Sequence, residues 1–400
     1  MNLNQDSRLV VVVGAGPVGQ VAALALAGHG LPVLVLEADT ADRERPGSRA
    51  IYLFRDTLRR LDRIEPGLGR AVAKRGIQIR GARCTYDGRT VFGAPMPRLD
   101  PLVAPGASLP QRETEALVHR ACQNRGVQFR WGSQLTTLAT SADGVELTLD
   151  DGEIIRAAYV VGADGARSVV REQIGRRLEG PRDTTPFIIV DVDAKPDGST
   201  ERTPGEFHYR HPRIGGRNVM HMPFAGGMRI DLQCLPDDDV EHWTSPAGLR
   251  EWIEPVLGPW YADHVNWQST YTFHQAVADS FTDGHNRVLL VGEAAHLFAP
   301  WGGRGLNSGV MDATDTARAI ATADRAAIQR CADDRRKWAL HNRDVSSSAL
   351  RQMRADDPVM RITRASAAAV SPWFVPAGYW LMSGPAKPPW FPWPWRTQLY

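Results

Sequence analysis

Apolar positions at the N-terminal end of the chain run unbroken instead of alternating. Leu9 to Val13 is a short β-branched run, the pattern of a strand buried on both faces in a parallel sheet. It enters the turn Gly14-Ala15-Gly16-Pro17-Val18-Gly19, after which an apolar helical pattern extends through Leu26. A second strand, Pro32 to Leu36, ends in Glu37. The same strand, glycine turn and helix recur twice. Tyr159 to Val161 leads into Gly162-Ala163-Asp164-Gly165 and a helix carrying Arg167 and Arg171, and "HNRVLLVG" leads into Gly292-Glu293. That third strand is followed by Pro300, Trp301, Gly302, Gly303 and Gly305, and a helix opens near Leu306-Asn307-Ser308.

Between the second and third units the texture changes. "PFIIVDVDA", "GEFHYRHP", "RNVMHMPF" and "MRIDLQCLP" are short runs rich in β-formers and broken by Gly and Pro, which predicts an antiparallel sheet over residues 181–284. "IQIRGARCTYDGRTVFG", within 76–104, predicts a hairpin turning at Asp87-Gly88 and joining that sheet. The dinucleotide-type unit is then discontinuous, made of 1–75, 105–180 and 285–345, with 76–104 and 181–284 as the second domain and 346–400 as a C-terminal segment. The last thirty residues hold five Trp and seven Pro. That proline content argues against helix over most of them, and their aromatic content argues for packing against a pocket, a partner subunit or lipid headgroups.

Composition narrows the function classes. The 43% hydrophobic content over 400 residues is enough for a sizeable core. Forty-seven basic against 45 acidic residues leave +2, so nothing points to nucleic acid. Cys84, Cys122, Cys234 and Cys331 are far apart without a C-x-x-C, and read as free thiols in a reducing compartment. No metal site is expected. The absence of a signal-peptide core after Met1 and of any apolar run of transmembrane length reads as a soluble, cytoplasmic chain.

The first motif has a physical meaning at each position. Gly14 permits the tight turn, Gly16 lets a pyrophosphate approach the helix N-terminus that Pro17 and Val18 open, and Gly19 lets the helix pack close to the strand. Glu37 is placed to accept hydrogen bonds from an adenosine ribose. The pattern calls for an ADP-containing dinucleotide without choosing between FAD and NAD.

All three motifs, in this order, resemble the FAD-dependent single-component aromatic hydroxylases, the flavoprotein monooxygenases with the p-hydroxybenzoate hydroxylase-like fold. The nearest look is to the phenolic-acid and resorcinol-type members. The segments "GSRAIYLFRDTLRRLDRI" and "LPQRETEALV" add to a resemblance that runs from about residue 8 to 320. It implies an α/β fold: a Rossmann-like FAD-binding domain of the GR2 type, an inserted, mainly antiparallel β-sheet substrate domain, and a helical or irregular C-terminal segment. It implies further FAD contacts at Arg49, Gln111, Arg112, Asp164 and Gly165. Glu293, Pro300, Gly302, Gly303, Gly305, Leu306 and Asn307 would hold the ribityl chain and the flavin ring. Two positions depart from the family pattern: Glu293 stands where Asp is usual, and Trp301 where a smaller residue or Phe is usual.

The activity so implied is monooxygenation. NADPH or NADH docks transiently to reduce FAD, and a flavin C4a-hydroperoxide delivers one oxygen atom of O2 to a phenolic or polyketide-like aromatic small molecule. Alternatives on the same scaffold are Baeyer–Villiger or epoxidising chemistry, another flavin oxidoreduction, or a flavin-binding module without turnover. His208, Tyr209 and His221 are candidates for recognising or deprotonating the substrate. Strand alternation would put His208 with Arg210 on one face and Tyr209 with His211 on the other. His296, after the third turn, reads as structural. A homodimer is left open.

Overall fold

The computed structural model describes residues 7–42, 50–181, 185–300 and 302–383. Arg49, Trp301 and the last seventeen residues of the Trp/Pro-rich tail lie outside them. The uninterrupted apolar runs become the centre of a five-stranded sheet in the order Val288–Leu290, Tyr159–Gly162, Val10–Val13, Val33–Leu36, Gln128–Arg130, all parallel. Every residue of Val10–Val13 is buried, because helices cover one side and a smaller antiparallel sheet the other. Pro17–Gly28 packs on this strand, and Arg304–Ala321 packs tightly on Pro17–Gly28. A Cβ added to Gly309 would lie 2.5 Å from Val18 Cγ2.

A seven-stranded sheet stands beside this layer, in the order Val265–Thr272, Pro186–Asp193, Gly227–Gln233, Arg217–Phe224, Gly205–His211, Gly81–Tyr86, Arg89–Pro95. All its pairings are antiparallel except Gly205–His211 with Gly81–Tyr86. The hairpin turn is Asp87-Gly88, both at positive φ as a tight two-residue turn requires. One face of the sheet buries Ile188, Val190, Val219, Ile230 and Leu232 against Trp252 and Ile253 of the helix Pro246–Leu257. The other buries Phe187, Ile189, Tyr209 and Cys84 against C-terminal helices and Ala299 of the third glycine loop.

Those C-terminal helices are Arg325–Arg354, Pro358–Val370 and Val375–Ser383. Among the described residues of the last thirty, helix covers Val375–Ser383. Pro376 sits in the first turn of its helix, where an absent N–H costs nothing. Tyr209 docks this segment. Its side chain is buried, and its hydroxyl donates to the Leu381 carbonyl at 2.5 Å and exchanges hydrogen bonds with Gln352. Burial pushes the phenol pKa up. Tyr209 is thus a strut between sheet and tail, which corrects its assignment as a substrate-handling residue. Cys84, Cys122, Cys234 and Cys331 are free thiols. No helix among the described residues is long and apolar enough to cross a membrane.

Removing the Tyr209 hydroxyl leaves the Leu381 carbonyl with only the long hydrogen bond from Gln352 Nε2 at 3.5 Å. Tyr209→Phe should cost about 1–3 kcal/mol, and amide exchange in Val375–Ser383 should rise before that in Val10–Val13. Unchanged exchange across Val375–Ser383 would refute the strut.

Candidate functional site

Sheet order brings the three turns together. Val288–Leu290, Tyr159–Gly162 and Val10–Val13 are adjacent parallel strands, so their carboxyl ends, and the motifs that follow, lie side by side along one edge. Gly14, at φ +103°, turns so closely under the second motif that an added Cβ would be 2.4 Å from the Ala163 carbonyl oxygen. An added Cβ on Gly19 would be 1.9 Å from the Gly14 carbonyl. Gly16 is the opposite case, with nothing within 4 Å of the position. That empty space stands over the start of Pro17–Gly28, a helix with no side-chain cap and no acid in its first turn. Its unpaired N–H groups and dipole suit an anionic group such as a pyrophosphate.

A cavity of about 440 Å³ opens here, lined by Gly14, Gly16, Glu37, Gln111, Arg112, Asp164, Gly165 and Arg167 among others. Residues far apart in sequence therefore meet on one wall. Glu37 accepts hydrogen bonds from the N–H groups of Ala15 (2.7 Å) and Asp39 (3.2 Å), so its carboxylate braces the glycine turn while lining the cavity. Gln111 donates to Glu115 at 2.6 Å, and Arg112 has no ion pair among the described residues. The Asp164 carboxylate is committed locally: it accepts from Ser168 Oγ at 2.5 Å and from the Val170 N–H at 3.0 Å. Burial raises its pKa, with those bonds working the other way. Gly165, at φ +79°, has open space over it.

The third motif lies beyond this cavity's lining. Val18 joins the two, since its side chain packs into the gaps left by Gly292 and Gly309. Its role is spacing, with only its backbone at the helix start. Gly292 donates to Asp312 Oδ2 at 3.2 Å, which leaves the neighbouring Glu293 side chain exposed. Gly302 and Gly303 both have positive φ, and the Gly303 N–H returns to the Pro300 carbonyl at 2.9 Å. The turn releases Arg304–Ala321 with no side-chain cap. Gly305 has open space above it, while Leu306 packs against the core of the parallel sheet.

Asn307 is fully buried and saturated. Its Oδ1 accepts from the Phe54 N–H and the Thr57 hydroxyl, and its Nδ2 donates to the Tyr52 and Gly303 carbonyls. It fixes the loop from behind, and its side chain has no hydrogen-bonding capacity left for a ligand.

Two charged groups here carry no signal in a glycine-motif reading. Arg304, the first residue of its helix, hydrogen-bonds Asn342 Oδ1 and has no carboxylate partner among the described residues; burial lowers its pKa to about 10. His296 Nε2 lies 2.6 Å from Asp312 Oδ2, and Arg335 Nε donates to Asp312 Oδ1 at 2.8 Å. Burial of Asp312 opposes its charge, but Arg335 and His296 outweigh that and hold its pKa below the usual range.

The histidine candidates fall elsewhere. Directly opposed residues on neighbouring strands share a face. His208 pairs with Val219, and Glu206 with His221, which in turn pairs with Ile230. His208 and His221 therefore share the face packed toward Trp252, away from Ala299 and the third loop. This corrects both as substrate-facing groups. Alternation also fails locally: Arg210 sits at φ +55°, the register slips between His208 and His211, and the two rings meet at 4.1 Å. Glu206 lies 3.8 Å from His208 and 3.6 Å from His221, and accepts from Thr85 at 2.6 Å. Burial, with His211 nearby, lowers the His208 pKa to about 4. Among the described residues no group of three His, Cys, Asp or Glu is arranged to hold a metal.

The sheet face toward Ala299 instead carries Asp191, Arg229 and Asp231. Arg229 lies opposite Asp191 and donates from Nε to Asp231 at 2.9 Å. Both Asp191 oxygens are buried without a hydrogen-bond partner, and burial raises its pKa to about 7 against the pull of Arg229. The sequence signal was present in "IVDVD" and "MRIDLQ", where charges occupy alternate positions in otherwise apolar strands.

Comparison with known proteins adds a family. The model described as FAD binding domain matches residues 8–338. The 3-(3-hydroxy-phenyl)propionate/3-hydroxycinnamic acid hydroxylase of Mycolicibacterium smegmatis is 31% identical over 312 residues, covering 76% of this chain and 53% of that one. A dialkyldecalin synthase of Streptomyces rugosporus is 28% identical over 322 residues, covering 77% of this chain and 64% of its own length. Among solved structures, p-nitrophenol 4-monooxygenase from Pseudomonas putida DLL-E4 superposes with a TM-score of 0.77 at 23% identity, covering 95% of this chain and all of that one. The chain spans about half the length of the hydroxylases it matches in sequence.

Two titrations with opposite sign should be separable. Asp191 has a folded pKa of about 7, above its ordinary 3.8, so its contribution to stability falls as pH rises through that window. Asp191→Asn should raise Tm relative to the parent at pH 8, with the gain vanishing near pH 4. His208, at about 4 against an ordinary 6.5, is neutral in the fold, and its contribution is lost as pH falls through 6.5 toward 4. His208→Gln should therefore gain on the parent at pH 5 relative to pH 8. Thermal melts across pH 4–8 check both, and parallel curves would refute the assignments.

Proposed function

This chain belongs to the FAD-binding domain family, and we propose that it is an FAD-dependent monooxygenase acting on a phenolic or polyketide-like aromatic small molecule with NAD(P)H and O2. The observation that carries this reading is the convergence of three glycine turns on one sheet edge, with an uncapped helix start after the first and third. The residues fit FAD in kind. Gly16 leaves space where a Cβ would intrude on a pyrophosphate, Glu37 lines the adenosine-sized cavity, and the exposed Glu293 carboxylate is available to ribityl hydroxyls.

Bound FAD would supply the acceptance of electrons from NAD(P)H and the activation of O2. The chain's own contribution is position and field. Gly302 and Gly303 let backbone approach a flat ring, and the start of Arg304–Ala321 aims its positive end outward. Arg304 adds a cation with no counter-charge among the described residues, which favours a ligand that becomes anionic on reduction. Asp312 holds the turn beneath Glu293 in place. The sheet face bearing Phe207, Met220 and the Asp191–Arg229–Asp231 row is the wall we assign to substrate, because it shares a core with Ala299.

A second reading has its own support. One relative is named a dialkyldecalin synthase, and a structure described as a Diels-Alderase in pyrroindomycin biosynthesis superposes with a TM-score of 0.71. On that reading the same scaffold holds FAD and shapes a hydrophobic chain for ring closure without electron transfer.

One anaerobic titration separates them. A visible flavin spectrum that bleaches with NADPH or NADH, faster when a phenol is present, supports monooxygenation. Bound flavin that NAD(P)H never reduces, with or without phenols, supports the second reading, and no flavin uptake from added FAD overturns both. Glu293→Ala should weaken FAD binding about tenfold, the worth of one charge-assisted hydrogen bond, without moving the apoprotein Tm. Fluorescence titration of FAD checks it.

A further inference from the structure

Ten large apolar side chains stand exposed among the described residues, and six of them fall between 359 and 375. Val359, Ile362 and Val370 are on the helix Pro358–Val370, and Trp373, Phe374 and Val375 are at the corner that follows. At 100° per residue Val359, Ile362 and Val370 lie within an arc of about 80°. Arg364 and Ala368 lie on the opposite side, with Ala367 between the two sides, and all three are buried against the rest of the fold. The outward stripe is therefore a second apolar face, not a frayed edge of the core. Val359 is 73% exposed, Ile362 68% and Trp373 85%, far beyond the scattered apolar exposure of an ordinary surface.

Charge says what such a face fits. From Pro358 to Tyr400 the sequence contains no Asp or Glu, and of its four cations Arg364 is buried against backbone carbonyls, which leaves Arg361, Lys387 and Arg396. The two acids just before it are engaged: Asp356 pairs with Arg354, and Asp357 caps the helix by accepting from the Met360 N–H at 2.7 Å. The rest of the sequence adds Trp390, Trp393 and Trp395, a residue type that settles at the boundary between hydrocarbon and headgroups. A second copy of this chain is a poorer match. A two-fold interface would set this acid-free segment against itself, cation facing cation. An anionic lipid surface offers both partners, acyl chains for Trp373, Phe374 and Ile362 and phosphates for the exposed Arg361.

We propose that the outward face of Pro358–Val370 and the Trp373–Val375 corner form a docking surface for an anionic lipid bilayer, on which the protein lies without spanning it. This rests on none of the FAD reading.

The test is flotation of the full 400-residue chain with vesicles of phosphatidylcholine alone or of phosphatidylcholine with phosphatidylglycerol. Binding to the phosphatidylglycerol vesicles is expected, with weaker binding to phosphatidylcholine and loss at high salt. The variant Ile362→Ser/Trp373→Ser/Phe374→Ser changes only exposed positions, so its circular dichroism and Tm should match the parent while its partition falls about tenfold or more. Absence of flotation with phosphatidylglycerol vesicles overturns the proposal, as does equal partition of parent and variant. Sedimentation velocity completes the test. A parent dimer that the variant converts to monomer, without vesicle binding, assigns the face to a second copy and overturns it equally.

Discussion

The buried carboxylate of Asp312 is the point on which the third loop depends. It takes the Gly292 N–H, faces His296 Nε2 and accepts from Arg335, so one side chain fastens a strand end, the segment after it and two helices. A carboxylate this deep is tolerable only because each oxygen is met by a cation or an N–H. Without that partnership the Gly292-Glu293 turn has no reason to hold Glu293 outward. The loop from Pro300 to Gly303 would also lose the helix that receives it. Asn307 supports the same loop from the other side, through Tyr52, Phe54 and Thr57.

The parallel sheet was legible because its code is local. Continuous apolar runs such as Leu9 to Val13, glycines where backbone meets backbone, and an acid at Glu37 each follow from the immediate geometry of strand, turn and helix. The antiparallel sheet was legible as a texture, and its hairpin as Asp87-Gly88. What the sequence could not convey was direction. One positive φ at Arg210 breaks the alternation that would otherwise separate His208 from His211. Nothing in "EFHYRHP" announces that break.

Residues whose role depends on distant chain were read least well. Tyr209 looks like pocket chemistry until the helix Val375–Ser383 is known to lie against it. Asn307 belongs to a motif associated with a ring, yet its own hydrogen-bonding capacity is used by residues some 250 positions earlier. Asp191, Arg229 and Asp231 were visible as charges in apolar strands, but only the register shows them on the face shared with Ala299. The apolar corner at Trp373 was anticipated as composition and acquires a location only in three dimensions.

Val18 stands on the helix that follows the first turn, and its methyl groups fill the spaces left by Gly292 and Gly309, two neighbouring glycines of the third unit. The separation between the turn that would receive a pyrophosphate and the turn that would receive a ring is therefore set by the thickness of one isopropyl group. The side chain works as a ruler. A larger residue there would lengthen the edge and a smaller one would shorten it, so a ligand of fixed span constrains position 18 as strictly as it constrains the atoms it touches.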